Sequence, residues 1–430
     1  MSGGGGRRRF ALAMTLGTVQ TGAVLLMSLA SVKLTSIYLG PAGLALVAQM
    51  QGLLQICSGI LGLTLGTAMV RLGSQYGLGE RFAILASTAL RIALVCGALI
   101  LTFTTIFSGS LWDLLLGSQV AVFAPAIIAV GFGALATTVQ SIASGAMNSA
   151  HETLLVSGSR VSAAFVGLVA FVGPMALWGL NGALMGVGVA AVLQCAVILS
   201  IVQRRSVVKS YLKVSVWSNS EFKAIGAFLP MMIVLSVAEP TAMILMRKHL
   251  LTNVSADAAG ILQASYRLAE VTMAVLTSGM SLYFMPRLGA LSRDHAALSR
   301  EVRGTMISAV LLALGLGAAV YVLRDFVVAV IFNHKFADVA DLVLLQMIWF
   351  VLRIGVWVCG MVLVSQMRQA YYMATQLIGP AIFVSIVLLL DFPGAIDRVV
   401  VASCVSTAIQ LALCIYATRD LLFYPRARER

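Results

Sequence analysis

Charge is the scarcest commodity in this sequence. Only 10% of its 430 residues are Asp, Glu, Lys or Arg, against about 25% in an ordinary soluble domain, which excludes a water-soluble globular protein. Acids are scarcer than bases, with 16 Asp plus Glu against 29 Lys plus Arg. The four histidines, His151, His249, His295 and His334, lie in or beside connections and show no metal-ligand spacing. Six cysteines, Cys57, Cys96, Cys195, Cys359, Cys404 and Cys414, stand singly in apolar runs. That pattern excludes a disulfide frame or a thiolate metal site and reads as packing. There is no Walker loop, nucleophile elbow or pair of catalytic carboxylates. The chain therefore carries no ATPase or hydrolase chemistry and requires no cofactor.

What it has is apolar length. Hydrophobic residues make up 60% of the chain, and mean hydropathy is +0.99. About 20 apolar residues cross about 30 Å of hydrocarbon. Runs of that kind place twelve helices at 10–37, 44–68, 83–107, 120–145, 154–174, 179–202, 224–246, 259–283, 304–323, 342–365, 372–390 and 399–418. The first follows Arg7, Arg8 and Arg9 as a signal peptide would, yet it is longer than a signal core and ends at Gly40-Pro41, so it counts as a mature span. In a soluble protein, a net charge of +13 would point to nucleic acid. Here nineteen of the Lys and Arg fall in connections on the N-terminal side of the spans and five on the other, which puts both termini in the cytoplasm. Most of the excess charge is topology, and no nucleic-acid partner is expected.

The chain also repeats itself. AMVRLGS (68–74) matches FMPRLGA (284–290), PAG (41–43) matches AAG (258–260), and MNSAHETLLVSGS (147–159) matches MRQAYYMATQLIG (367–379), at offsets of 216, 217 and 220. An offset of six spans preserves orientation. The expected fold is an all-α integral membrane protein of two six-helix lobes, 1–203 and 224–430, related by a pseudo-two-fold axis along the membrane normal and joined by a cytoplasmic linker at 204–223.

Seven ionisable residues fall inside spans: Lys33, Arg91, Arg160, Glu239, Arg267, Glu270 and Arg353. Each costs about 2.5 to 3.5 kcal/mol at a helix centre, so they are expected to face a cavity or one another. Five are positive and two negative, a balance that suits an anionic cargo. Lys33 lies about one turn from the outer end of its helix, within snorkelling reach. Arg91 and Arg160 sit deeper on the cytoplasmic side, placed to receive an anionic head group. Arg353 has no acid within a turn and is the leading candidate for a phosphate contact. Arg267 and Glu270 are three apart and can pair, either as a structural ion pair or as a gating element. Glu239 precedes Pro240, which removes a helix hydrogen bond; a carboxylate there either titrates during a conformational cycle or neutralises an arginine. Arg324 and Asp325 read as an exposed pair. Gln49, Gln51, Gln55, Gln140, Asn148 and Gln194 supply amides that bind sugar or join helix to helix.

Three segments, KLTSIYLGPAGLALVAQMQGLLQICSGI (33–60), MRKHL with AAGILQ (246–263) and RDFVVAVIFNHKFADVADLVLLQM (324–347), resemble the Wzx-type polysaccharide flippases of the MOP exporter superfamily. The likeness is nearest to those serving enterobacterial common antigen, and the superfamily also holds the MATE drug exporters. The resemblance implies a MATE-like fold in the bacterial inner membrane. It further implies alternating-access transfer of an undecaprenyl-pyrophosphate-linked oligosaccharide from the cytoplasmic to the periplasmic leaflet, for surface polysaccharide assembly such as O-antigen. A glycan polymerase and a chain-length regulator are the implied protein partners. Matching basic positions are Lys33, Arg71 and Arg353, with an acidic match at Glu270, whereas Arg267 and Glu239 depart from the family pattern. On this reading Arg91, Arg160 and Arg353 pair with the pyrophosphate, supported by Lys33 and Arg267, while Glu270 or Glu239 couples or gates. Two rival readings are a cation-coupled MATE-type exporter of small molecules and a membrane-embedded glycan polymerase or ligase. The first calls for an acidic cavity, the second for a large periplasmic loop.

Overall fold

The computed structural model describes residues 3–116, 123–214, 216–291, 294–389 and 396–423. Arg293, Arg426, Arg428 and Arg430 of the expected cytoplasmic set lie outside these residues, as do the side chains of Arg7, Arg8 and Arg9. The opening of the span expected at 120–145 and the last residue of that at 372–390 also lie outside them. The described regular structure is entirely helical. In chain order the helices are α1 (Gly3–Tyr76), α2 (Glu80–Ile106), α3 (Ser108–Leu116), α4 (Ala124–Ser149), α5 (Thr153–Arg205), α6 (Asn219–Gly226) and α7 (Leu229–Asn253). There follow α8 (Ala256–Ala290), α9 (His295–Val322), α10 (Arg324–Ile331), α11 (Val339–Ser365), α12 (Gln369–Leu389), α13 (Ile396–Ala417) and α14 (Arg419–Leu422).

Ten of these are long and apolar enough to cross a membrane. Two are too long for one crossing: the 58 residues of Val19–Tyr76 would make a rod of about 87 Å at 1.5 Å per residue, nearly three times the hydrocarbon thickness. Both long helices are broken. In α1 the break is Gly40, at φ 68° and ψ −166°, followed by Pro41. Only glycine adopts that backbone readily, and the following proline offers no N–H to continue the ladder. In α5 the break is Trp178–Gly179, with Gly179 at φ 56°. Each break falls where the hydropathy pattern ends one expected span and begins the next.

The chain divides into two compact units, 1–248 and 249–430. In unit 1, both arms of α1 pack with α2, α4 and α5. A core at one end holds Leu65, Met69, Phe82, Leu85, Ile142, Met147, Ile198 and Val202. The connection after α5 is part of this body. Its Val208 and Ile225 are buried in the same core, and the Glu152 carboxylate accepts hydrogen bonds from Ser206 Oγ and, at 2.9 Å, from the Val207 N–H. Glu221, 3% exposed, accepts from Tyr76 Oη at 3.0 Å and Arg81 Nε at 3.4 Å. The later part of α7 is tied in as well. Fully buried Gln49 donates to the carbonyls of Leu115 at 3.0 Å and Ile244 at 3.2 Å, and it accepts from Arg247 Nε at 3.1 Å. These bonds carry unit 1 through residues 204–223 to Lys248.

In unit 2, α11 packs against α8, α9 and α13, and α12 lies on α13. The helix–break–short-helix form of α2–α3, interrupted at Phe107, recurs as α9–α10, interrupted at Leu323. That recurrence has the separation of the matched sequence motifs. On both units long helices present apolar residues outward, for example Leu94, Val95, Leu99 and Phe103 on α2 and Ile307, Leu311 and Leu314 on α9. Such surfaces belong in hydrocarbon rather than water.

Candidate functional site

Unit 1 is hollow. Two adjoining cavities of about 690 and 460 Å³ share Val24, Ala164 and Gln194 as walls and are taken together as the chamber. It is built from the first arm of α1 (residues 20–31), the second arm (51–71), α4 (137–148), and α5 on both sides of its break (160–171 and 187–194). From Gln51 to Arg71 the second arm runs along the chamber for about 30 Å at 1.5 Å per residue, which is the thickness of the hydrocarbon layer. Small residues let these helices come close. A Cβ on Gly145 would lie 2.7 Å from the Gly66 carbonyl oxygen, so the α1–α4 contact requires glycine there.

The lining is largely apolar, with polar side chains set along its length and its cationic residues at one end. Among the lining residues the charged ones are Arg71 and Arg160, and neither Asp nor Glu is present. Arg71 ends the AMVRLGS motif's apolar run and lies 5.7 Å from the centroid of the Phe228 ring. Arg160 stands two turns into α5, exposed to the chamber, and makes no hydrogen bond or ion pair to a described residue. Gln20, Gln140, Ser141, Ser144 and Asn148 surround this cationic end, with Gln194 at the join; Ser28, Ser31, Gln51, Gln55, Ser58 and Thr137 line the other. A guanidinium offers a planar fork of donors that matches phosphate, and amides with hydroxyls both donate and accept, as a sugar requires. The chamber thus offers two guanidinium donors for an anion and a set of amides and hydroxyls that both donate and accept, among apolar walls.

The residues singled out in the sequence fall in several places. Arg160 joins the chamber, together with Gln51, Gln55, Gln140, Asn148 and Gln194. Gln49 serves as helix-to-helix glue with Arg247. Arg91 on α2 and Lys33 on α1 are half-buried and are not among the lining residues, and Glu239 is half-buried on α7. Arg353, Arg267 and Glu270 belong to unit 2. There Arg353 donates to Gln410 Oε1 at 3.3 Å and lies 5.9 Å from the Trp349 ring centroid. Gln410 in turn donates to the Thr375 carbonyl at 2.9 Å, so Arg353 marks a junction of α11, α12 and α13. Arg267 and Glu270 form the ion pair that their spacing allows, at 2.9 Å. Arg324 stacks on Tyr321 at 4.8 Å, a contact not foreseen for it.

Arg71 is the chamber residue that the span count hid. It sits at a helix end, where a positive charge reads as topology, and its signals were the repeated heptapeptide and the family resemblance, which names it as a matching basic position. The copy of that motif places Arg287 in a different setting, where it pairs with Glu301 at 3.3 Å.

No family model matches the chain. It is 25% identical over 368 residues to the lipid III flippase of Escherichia coli (strain K12), covering 83% of this chain and 85% of that protein. Among solved structures it resembles an inward-facing multidrug resistance MATE family transporter of the MOP superfamily, with a TM-score of 0.76 at 14% identity over 94% of this chain and 97% of that one. It also resembles a MOP superfamily transporter from Pyrococcus furiosus, described as having a binding pocket of reverse polarity, with a TM-score of 0.69 at 15% identity over 96% and 95% of the two chains. The fold is MATE-like, all-α and multi-pass.

Proposed function

We propose that this protein is a flippase that moves an undecaprenyl-pyrophosphate-linked oligosaccharide from the cytoplasmic to the periplasmic leaflet of the bacterial inner membrane, for surface polysaccharide assembly. The observation that carries the reading is the chamber of unit 1, whose charged lining residues are two arginines and whose remaining polar lining is amide and hydroxyl. Arg71 and Arg160 hold the pyrophosphate, the amides meet the sugars, and the polyprenyl tail stays in lipid. The reading takes α1 and α5 as two crossings each at their glycine breaks, giving twelve crossings in two six-helix lobes with both termini cytoplasmic. Arg91, Arg353 and Lys33 are further basic positions of the proposed path. The Arg267–Glu270 pair and Glu239 are its candidate coupling groups.

An acidic cavity would be expected for a cationic drug, and the chamber has the opposite sign. Sequence likeness to a lipid III flippase supports the same choice. The test is reconstitution of the purified protein into vesicles loaded on one leaflet with a labelled polyprenyl-pyrophosphate saccharide. Protein-dependent exposure of the label to a membrane-impermeant reagent on the other side is the expected result. Absence of exposure, together with uptake of a cationic dye under a cation gradient, would replace the reading with that of a small-molecule exporter.

A further inference from the structure

The connection between α5 and α7 does more than join them. We infer that residues 204–228 form a membrane-surface anchor whose ligand is the anionic head group of the surrounding phospholipid. Three independent features of the segment support this.

The first is depth. Helix α2 has 27 residues, about 40 Å at 1.5 Å per residue, and centred on about 30 Å of hydrocarbon it overhangs by about 5 Å at each end. Ser87 and Thr88, both fully buried, lie about 10 Å in from its Glu80 end by the same rise, hence just inside the hydrocarbon boundary. The linker is hydrogen-bonded to these two hydroxyls. Ser87 Oγ donates to the Val216 carbonyl at 2.7 Å and accepts from the Val216 N–H at 2.9 Å, while Thr88 Oγ1 accepts from the Ser218 N–H at 3.3 Å. Non-helical backbone persists at that depth only where its polar groups are satisfied, and two mid-helix hydroxyls do this.

The second feature is the face left outward. Val207, Val214, Val216, Trp217 and Phe222 are each between 41% and 55% exposed, and the Trp217 and Phe222 rings lie 5.4 Å apart. Tryptophan and phenylalanine beside lysines are the composition of a helix or strap lying in the head-group layer. The third is charge. Arg204, Arg205, Lys209, Lys213 and Lys223 are all exposed. The segment's acid is Glu221, which is buried against Tyr76 and Arg81. A basic rim over an apolar insert is complementary to a phosphate-bearing lipid surface and differs from the neutral, charge-depleted centre expected of a protein-binding patch.

The test uses the full chain in nanodiscs. Phosphatidylglycerol retained against an equimolar amount of phosphatidylcholine is measured by native mass spectrometry for the wild type and for Lys209→Gln/Lys213→Gln/Lys223→Gln. The expected change is a loss of about fivefold in preference for each lysine removed. In parallel, Trp217 fluorescence is taken as the difference between wild type and Trp217→Phe, and brominated acyl chains are expected to quench it more than aqueous iodide does. Unchanged lipid preference in the triple variant overturns the inference. So does quenching of Trp217 by iodide alone, or its shielding from both quenchers in native membranes, which is the mark of a protein partner.

Discussion

Arg160 offers a clean separation of binding from folding. It is exposed to the chamber and makes no hydrogen bond or ion pair to a described residue. Arg160→Gln therefore removes nothing the fold depends on. It also removes a charge whose placement in the hydrocarbon region costs about 2.5 to 3.5 kcal/mol on insertion scales, so thermal stability in detergent is expected to hold or rise. A charge-assisted hydrogen bond to a phosphate is worth about 1.5 to 3 kcal/mol. Its loss should weaken cargo binding by about 10- to 100-fold, at 1.4 kcal/mol per tenfold. Arg160→Lys keeps the charge without the planar fork and should fall between. Arg71→Gln should act alike. If both arginines hold one diphosphate, the double variant should lose less than the product of the single losses. The assay is leaflet accessibility of a labelled lipid-linked saccharide at several cargo concentrations, run beside thermal unfolding. Wild-type transfer by Arg160→Gln would remove the residue from the site, and a parallel fall in stability and transfer would show it to be structural.

Gln49→Leu should destabilise unit 1 by about 3 kcal/mol, since it ends one bond to a buried guanidinium and two to carbonyls; unfolding followed by tryptophan fluorescence would report it. Gly145→Val should destabilise by a comparable amount, because its Cβ meets the Gly66 carbonyl, and it should narrow the chamber with a loss of transfer. The bidentate Arg368–Asp420 pair holds the Asp420 carboxyl below its ordinary value, chiefly through the Arg368 hydrogen bond. Its stabilisation is present above the unfolded-state value of about 3.9 and is lost as pH falls through the lowered one. Asp420→Asn should thus cost about 0.5 to 1 kcal/mol at neutral pH, discounted for partial exposure, and progressively less in strong acid. Equal destabilisation at both pH extremes would contradict the assignment.

Much of the fold is legible in composition because a bilayer leaves the backbone few options. Hydropathy marks the apolar runs, though ten membrane-long helices stand where it counts twelve, and Gly40-Pro41 marks a turn by backbone chemistry alone. The chamber is legible only in part. Gln51, Gln55, Gln140, Asn148, Gln194 and Arg160 show themselves as polar groups within apolar runs, where an unplaced side chain would be costly. Which of them shares a cavity depends on rotation about each helix axis, a property of packing that the run itself does not carry. Gln49 and Gln51 are two residues apart, and one is glue while the other is wall. Arg71 is hidden for another reason, since a cation at a span's end is already accounted for by orientation. The linker's hold on α2 is invisible too, because serine and threonine are common within spans.

The two arginines of the repeated heptapeptide have separate fates. Arg71 looks into the chamber, whereas Arg287 is matched to Glu301. One acidic neighbour is enough to convert a chamber-facing cation into a surface brace. A duplicated motif can thus keep its scaffold while only one copy keeps its chemistry. Grafting a glutamate beside Arg71, or deleting Glu301, would move each copy toward the condition of the other, making the pair a natural place to ask how two copies of one motif come to differ in what they face.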